Sequence, residues 1–275
     1  MHLKLMFITN DPQTARIAQA AGVDRIFVDM EALGKAERQG GMDTVQSHHT
    51  AADAARLRPL LDRAELLVRV DPIHDGSQEQ IEAVLRAGAD VVMLPFFRTA
   101  GEVAAFTRIV GGRARTCLLV ETPEAVERID EILAVPGVDE CHIGLNDLHL
   151  GYRLPFLFQL LADGTVERLC GKFRAAGKPY GFGGFGRPGT GQPPAERIMG
   201  EHCRLGSSLA ILSRTFCDLR QRRTAAETEA LFREGVGDIR RWEERLSKAS
   251  PEELEANRRE VCRRVDEIVK ELERK

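Results

Sequence analysis

The sequence lacks three features that would place it outside ordinary intracellular globular proteins. Its six cysteines are scattered singly, without CxxC or CxxH spacing, so we expect reduced, mostly buried thiols in a cytoplasmic protein. No apolar run suits a signal peptide or a membrane span, because the short run from Leu3 to Ile8 is interrupted by Lys4. The net charge of −3 gives no electrostatic reason to expect nucleic acid or a membrane surface as a partner.

What the sequence has is a repeated alternation of short β-like runs and longer helical patterns. Strand candidates lie at residues 3–9, 25–31, 65–70, 91–96, 116–122, 140–145, 179–185 and 208–213. Helical patterns lie near residues 12–20, 51–62, 77–87, 100–110, 123–135, 164–176, 193–204 and 225–246. This series predicts an α/β fold, a (β/α)8 TIM barrel. A doubly wound sheet is the alternative, and it would usually need fewer strands.

Beyond residue 216 the composition changes to charged helix formers with almost no glycine. A second helix start follows at Ser250, with Pro251 at the first helical position and Glu252 and Glu253 behind it. We therefore expect a catalytic barrel domain over residues 1–216. The helical extension over residues 217–275 is expected to complete the barrel and to mediate contacts in a homo-oligomer.

Polar residues at the carboxyl ends of the predicted strands are the candidate site residues, because catalysis in a (β/α)8 barrel takes place there. They are Asp29 and Glu31 at strand 2, Arg69 at strand 3, Glu121 at strand 5, and Asn146 and Asp147 at strand 6. Asp29 and Glu31 share one parity along the strand, so both side chains point the same way.

Glu121 and Asp147 follow consecutive buried strands, which lie about 4.8 Å apart in a sheet. The two carboxylates could therefore share one divalent cation. Hard oxygen ligands without a matching histidine suit Mg²⁺ or Mn²⁺ better than Zn²⁺. The alternative is helix capping, since Thr122 and Pro123 resemble a helix start and Asp147 could cap a turn.

Arg69 at an inward strand position is costly to bury unless an anion meets it. It could form a salt bridge with Asp29 or Glu31, or it could bind a substrate carboxylate or enolate oxygen. The two acids could in turn partner Arg69, Lys35 or Arg38, hold water bound to the metal, or take part in proton transfer.

Lysine is scarce, with only seven in the chain, and none of them closes a predicted strand. A Schiff-base aldolase needs a lysine aimed into the barrel mouth, so amine catalysis is disfavoured against metal catalysis. Only Lys35, in the long polar loop 34–49, could reach the site, where we expect it to bind substrate. In the same loop, His48 or His49 could serve as a base near neutral pH, and a solvated surface position is equally compatible with each.

The run from Gly181 to Gly186 matches the dinucleotide pattern GxGxxG, but weakly, because it falls in the seventh strand–helix unit. It fits better a flexible loop after strand 7, where barrels often bind phosphate or another anion. Gly183 and Gly184 are therefore candidate substrate-binding residues. A role in backbone geometry alone is the alternative.

Several of these segments together resemble the HpcH/HpaI aldolase and citrate lyase β-subunit family of the phosphoenolpyruvate/pyruvate barrel superfamily. The matching stretches are residues 27–31, 67–69, 88–95, 119–125 and 129–148, within a similarity that covers about residues 3–215. The resemblance implies a divalent metal, Mg²⁺ or Mn²⁺, held by Glu121 and Asp147. It also implies that this metal chelates the carboxylate and carbonyl of pyruvate or a related 2-keto acid, with Arg69 on the bound acid.

The chain departs from this family at Ala32, where pyruvate aldolases have a histidine, and at Leu145-Asn146-Asp147 in place of Pro-Ala-Asp. The hypothesis is a class II, metal-dependent aldolase or carbon–carbon lyase of a specialised biosynthetic pathway, acting through an enolate. Its small-molecule partners would be a 2-keto acid and an aldehyde or thioester, with His49, or water organised by the strand 2 acids, moving the proton. The alternatives are a CoA-ester lyase for a malyl- or citryl-like thioester and a non-catalytic barrel that binds a keto acid or metal.

Overall fold

The eight expected strands all form and close into one parallel barrel. The computed structural model describes residues 2–34 and 49–274, and in it the strands pair in chain order, with β8 returning to β1. They are β1 (Lys4–Ile8), β2 (Arg25–Asp29), β3 (Glu65–Arg69), β4 (Val91–Leu94), β5 (Arg115–Val120), β6 (Glu140–Ile143), β7 (Tyr180–Phe185) and β8 (Leu209–Leu212). The chain is a (β/α)8 TIM barrel with additional carboxyl-terminal helices, and the doubly wound alternative is wrong.

Helices alternate with the strands and two long ones follow the last strand. Among the described residues they are α1 (Pro12–Ala20), α2 (Ala51–Leu57), α3 (Ser77–Arg86), α4 (Ala100–Val110), α5 (Pro123–Glu127), α6 (Ile129–Leu133), α7 (Leu145–Gly151), α8 (Gln159–Ala162), α9 (Thr165–Ala175), α10 (Ala195–Leu205), α11 (Ala225–Leu246) and α12 (Pro251–Glu273). The helix expected over residues 123–135 is interrupted at Arg128, whose ψ of 20° lies outside the helical range. In residues 2–34 and 49–274, no helix has the length and apolarity to cross a membrane.

Alternation along the strands sorts side chains between the barrel interior and the shell beneath the helices. The interior is filled by a compact apolar cluster of Met6, Phe27, Leu67, Val91, Met93, Cys117, Leu119 and Leu209. The residues between them, such as Ile26, Val68 and Leu118, belong to the larger core that packs against the helices. The barrel is therefore a filled core rather than a pore.

A buried ionic layer lies below this interior cluster, at the amino end of the strands. The Arg25 side chain is fully buried and donates from Nη1 and Nη2 to the Glu140 carboxylate, at 2.5 and 2.9 Å. Its Nε donates to Glu65 at 2.7 Å. Burial lowers the pKa of Arg25, but the two carboxylates outweigh it and raise the pKa above its ordinary value. This layer ties β2, β3 and β6 together on the face opposite the carboxyl ends of the strands.

The carboxyl-terminal helices pack on the barrel. Glu243 of α11 accepts the Leu3 backbone N–H at 2.8 Å, at the start of β1. Asn257 of α12 donates to the Arg197 carbonyl at 2.9 Å and to Glu201 at 3.0 Å, both in α10. The division at residues 216 and 217 and the homo-oligomer stay predictions.

Candidate active site

Charged side chains occupy the layer of the barrel interior nearest the carboxyl ends of the strands. The next inward positions beyond the apolar cluster on β2, β3 and β5 belong to Asp29, Arg69 and Glu121, and the Arg69 guanidinium lies 5.5 Å from the centre of the Phe27 ring. These three residues line one cavity of about 660 Å³, which Asn146, Asp147, Gly183 and Gly184 also line. The structure therefore brings together most of the residues that the sequence indicated.

Arg69 is held by the two acids of β2. Asp29 and Arg69 are register partners on adjacent strands, and Asp29 accepts from Nε at 2.8 Å and from Nη2 at 2.9 Å. Glu31 lies 3.4 Å from Nη1. Burial lowers the pKa of Arg69, but the charges of Asp29 and Glu31 outweigh it and raise the pKa above its ordinary value. A guanidinium has five N–H donors and Asp29 engages two, so the salt bridge and a bound anion are compatible.

Glu121 is fixed by the neighbouring strand connection rather than used as a helix cap. Its Oε1 accepts the Phe96 backbone N–H at 3.1 Å, and Phe96 adopts a φ of 49°, in the left-handed region. The cap of α5 is Thr122, whose hydroxyl accepts the Ala125 N–H at 3.2 Å. The Glu121 side chain is 3% exposed and faces the cavity.

Asp147 lies in the first turn of α7, because β6 ends at Ile143 and not at the predicted residue 145. Its side chain is buried at the same cavity as Glu121. Gly144 stands between them in the chain, donating its N–H to the Val120 carbonyl at 3.0 Å. A Cβ at position 144 would lie 2.5 Å from Oε2 of Glu121, so the carboxylate occupies space that only glycine leaves open.

Residues 4–154, more than half of the chain, match the model of the HpcH/HpaI aldolase/citrate lyase family. The chain belongs to this family of aldolases and lyases. The resemblance inferred from the motifs is thereby confirmed, and with it an enzyme of the lyase or aldolase kind.

Solved structures of the same fold include family members from two bacteria. An HpcH/HpaI aldolase/citrate lyase family protein from Burkholderia cenocepacia superposes with a TM-score of 0.63 at 17% identity, covering 87% of this chain and 95% of that one. An HpcH/HpaI aldolase from Desulfitobacterium hafniense gives 0.59 at 18% identity, covering 86% and 93%. The citrate synthase SbnG gives 0.59 at 18%, covering 78% and 87%. At these identities the likeness concerns the fold.

A curated relative is the pyruvate kinase of Methylorubrum extorquens, 33% identical over 110 residues. The match takes in 40% of this chain but only 22% of the pyruvate kinase. The match therefore spans about a fifth of the length of that enzyme. It does not show that the two proteins have a common activity.

The oxygens of Glu121 and Asp147 suit a hard divalent cation. Within the described part of the chain, no cluster of three or more histidine, cysteine or acidic side chains is arranged to hold a metal. Mg²⁺ is commonly bound through one or two carboxylates, with water and substrate oxygens completing the shell. Glu121 and Asp147 are both buried and line one cavity, and this arrangement fits that donor set. Zn²⁺ would be expected to recruit nitrogen or sulfur ligands.

The structure does not bring the predicted base, His49, into this cavity. Its Nδ1 accepts the Asp29 backbone N–H at 3.0 Å, so the neutral ring carries its proton on Nε2. His49 lines a neighbouring cavity of about 370 Å³, between the start of α1 and the segment before α11. Lys35, the predicted substrate contact, and His48 lie outside the described residues. Glu31 contacts Arg69 but is not among the cavity-lining residues.

Gly183 and Gly184 belong to β7 and not to a loop. In the structure, the loop after β7 starts at Gly186. A Cβ on Gly183 would lie 2.6 Å from Leu145 Cδ1, and its φ is 48°. A Cβ on Gly184 would lie 2.7 Å from the Ile211 carbonyl oxygen, next to a register shift between β7 and β8. Backbone geometry therefore accounts for both glycines, while both also line the cavity.

Sequence reasoning missed His142, an inward residue of β6 that lines the same cavity. Its Nε2–H donates to the Gly183 carbonyl at 2.9 Å, and among the described residues Nδ1 has no hydrogen-bond partner. Burial, reinforced by the charges of Arg25 and Arg69, lowers the pKa of His142 to about 4. The sequence carried one signal for His142. It stands two residues after Glu140 in β6, and alternate residues of a strand point to the same face.

Proposed function

We propose that this family member is a divalent-metal-dependent carbon–carbon lyase or aldolase that acts on pyruvate or a related 2-keto acid through its enolate. The observation that carries the proposal is the placement of Glu121 and Asp147. Both are buried carboxylates at one cavity, beside the cationic Arg69, at the carboxyl end of the barrel.

Glu121 and Asp147 would hold Mg²⁺ or Mn²⁺, which supplies positive charge toward the carboxylate and carbonyl oxygens of the keto acid. Arg69 adds a second positive charge, held in place by its two bonds to Asp29. A preorganised donor of this kind contributes roughly 3–4 kcal/mol to a transition state, or about 10²–10³ in rate. The Phe96 N–H keeps one oxygen of Glu121 fixed.

Proton transfer is assigned to water organised by Asp29. Asp29 lines the cavity, whereas His49 faces the neighbouring one and uses Nδ1 to accept from the backbone. Moving this proton through water also agrees with Ala32, which offers no titratable group where pyruvate aldolases of the family have a histidine.

The names of the relatives agree with a small carboxylic acid as substrate, since one is a pyruvate kinase and another a citrate synthase. A malyl- or citryl-like CoA ester stays the alternative substrate. The cavity of about 660 Å³ is larger than a three-carbon acid fills, so it leaves room for such a ligand.

The test is exchange of the pyruvate methyl protons in D₂O, followed by NMR with and without Mg²⁺ or Mn²⁺. We expect metal-dependent exchange that EDTA abolishes and that Glu121→Gln reduces together with metal affinity. Glu127→Gln, at an exposed position of α5, is the matched control and should behave as the unmodified protein. Metal-independent exchange, or normal metal binding by Glu121→Gln, would contradict the assignment. Absence of exchange with metal bound would favour the non-catalytic alternative.

A further inference from the structure

The cavity at the barrel mouth has two chemically different arcs. β2, β3, the position after β5 and α7 contribute four charged residues, Asp29, Arg69, Glu121 and Asp147, beside the uncharged Leu119, Leu145 and Asn146. β8, β1 and the segments over them contribute seven apolar residues: Ile211, Leu212, Phe7, Ile8, Leu157, Phe158 and Ile198. The segment after β8 adds polar and charged residues at the rim, among them Ser213, Arg214 and Thr215. The charged arc suits the keto acid, and the apolar arc is not needed for it.

Ile8 and Ile211 form the floor of the apolar arc. Both are half-buried and pack on the interior cluster, and Ile8 is the register partner of Phe27. A polar second substrate would lose its bound water against these surfaces without gaining hydrogen bonds in return. A half-exposed apolar wall inside a cavity is instead matched by an apolar ligand surface.

The size of the cavity leaves room for such a group. Its volume of about 660 Å³ is in the range that holds ligands much larger than a three-carbon acid.

The rim above the apolar arc carries three charged residues, Arg214, Asp218 and Arg220. Arg220 donates to Asp218 from Nε at 3.0 Å and from Nη2 at 3.1 Å, and both residues line the cavity. The positive charge of Arg220 is offset by this contact, so it does not call for an anionic group on the ligand.

We propose that the second substrate is an aldehyde bearing a bulky, uncharged, apolar group, such as an aryl or medium alkyl chain. This inference rests on the proposed function and names the acceptor class of the same site. In the cleavage direction, the C3–C4 bond of a 4-hydroxy-2-keto acid breaks as the hydroxyl proton leaves. The apolar aldehyde departs, and the pyruvate enolate takes up one proton at C3, so that atoms and charge balance.

The test compares kcat/KM for 4-hydroxy-2-keto acids that carry phenyl, pentyl, methyl, hydroxymethyl or carboxyethyl groups at C4. We expect the phenyl and pentyl substrates to exceed the hydroxymethyl substrate at least tenfold, because a hydrophobic pocket discriminates about 10–200-fold per missing methylene. Ile211→Asn should reduce the ratio of phenyl to hydroxymethyl substrate several-fold, whereas Ile211→Val should preserve it. Phe158→Ser provides a second variant on another element, should Ile211→Asn fail to fold.

The outcomes separate this inference from the proposed function. Pyruvate proton exchange with a preference for hydroxymethyl, carboxyethyl or CoA-thioester substrates would overturn the apolar acceptor and leave the lyase chemistry standing. An unchanged ratio in both Ile211→Asn and Phe158→Ser would also overturn it. Loss of pyruvate exchange and of turnover with every substrate would instead remove the proposed function on which it rests.

Discussion

Gly144 and Glu121 approach so closely that a Cβ on Gly144 would lie 2.5 Å from Oε2 and 2.9 Å from Cβ of Glu121. The carboxylate proposed to bind the metal is thus positioned by the absence of a side chain on the adjacent strand end. Any substitution at position 144 must therefore displace Glu121.

The first prediction follows from this contact. Gly144→Ala should lower pyruvate proton exchange about 10²-fold, because a displacement of about 1 Å in a catalytic group has an effect of that order. Isothermal titration with Mn²⁺ should show weakened binding. The control is Gly171→Ala in α9, where a Cβ meets nothing within 4 Å and should stabilise the helix by roughly 0.5–1 kcal/mol. Normal metal affinity in Gly144→Ala would contradict the positioning role.

The second prediction concerns Arg69, whose planar guanidinium binds Asp29 through two parallel bonds. Arg69→Lys keeps the charge but cannot reproduce that geometry, so activity should fall about 10²-fold while the protein remains folded. Arg69→Met removes the charge between Asp29 and Glu31, and we expect the free energy of unfolding to fall by about 3–5 kcal/mol. Urea unfolding and pyruvate exchange measure the two effects. Full activity in Arg69→Lys would contradict the proposed contact with substrate.

The fold was accessible from sequence because most strands are short apolar runs that end in polar residues or glycine, β4 being followed by Pro95 and Phe96 instead. All eight strands form where expected, with bounds that differ by a few residues. The errors lie where tertiary contacts end an element. The predicted strand extends to Leu145, yet β6 stops at Ile143 because the chain turns into α7 beside Glu121. No local sequence pattern predicted α7 or α8.

The candidate site was accessible to the extent that it depends on strand ends. Parity and position identified Asp29, Arg69 and Glu121, since inward alternation carries each to the same mouth. His49 was different, because its orientation is set by a hydrogen bond from the Asp29 backbone that no sequence spacing reveals. Its assignment as the base stays a prediction without support from its position. The apolar arc was also missed, because Ile8 and Ile211 are indistinguishable in sequence from ordinary core residues.

The third prediction addresses the ionic layer at the amino end of the barrel. Glu140→Gln leaves the fully buried Arg25 with an incompletely compensated charge, so the free energy of unfolding should fall by about 3–5 kcal/mol. The metal affinity of the folded fraction should not change, because the apolar interior separates this layer from Glu121. Urea unfolding with Glu127→Gln as the matched control measures the first effect, and Mn²⁺ titration measures the second. A loss below about 1 kcal/mol would show that the layer is not a stability determinant.

The fourth prediction uses the two buried histidines. Burial lowers the pKa of His142 to about 4 and that of His202 to about 3, against ordinary values near 6.5. Below about pH 6.5 the unfolded chain therefore binds more protons than the folded protein does. The free energy of unfolding falls as the pH drops through this range. Between pH 7 and 5 each histidine should contribute a loss of about 2 kcal/mol.

His142→Gln isolates one of these contributions. The glutamine amide can still donate to the Gly183 carbonyl but cannot titrate, so the loss of unfolding free energy between pH 7 and 5 should shrink by about 2 kcal/mol. Urea unfolding at pH 7, 6 and 5, in EDTA so that metal binding does not contribute, measures the slope. A residual slope is expected because His202 remains, with its ring stacked on Phe182 at 3.9 Å. A slope equal to that of the unmodified protein would contradict the lowered pKa, because His142 would then bind its proton equally in the folded and the unfolded state.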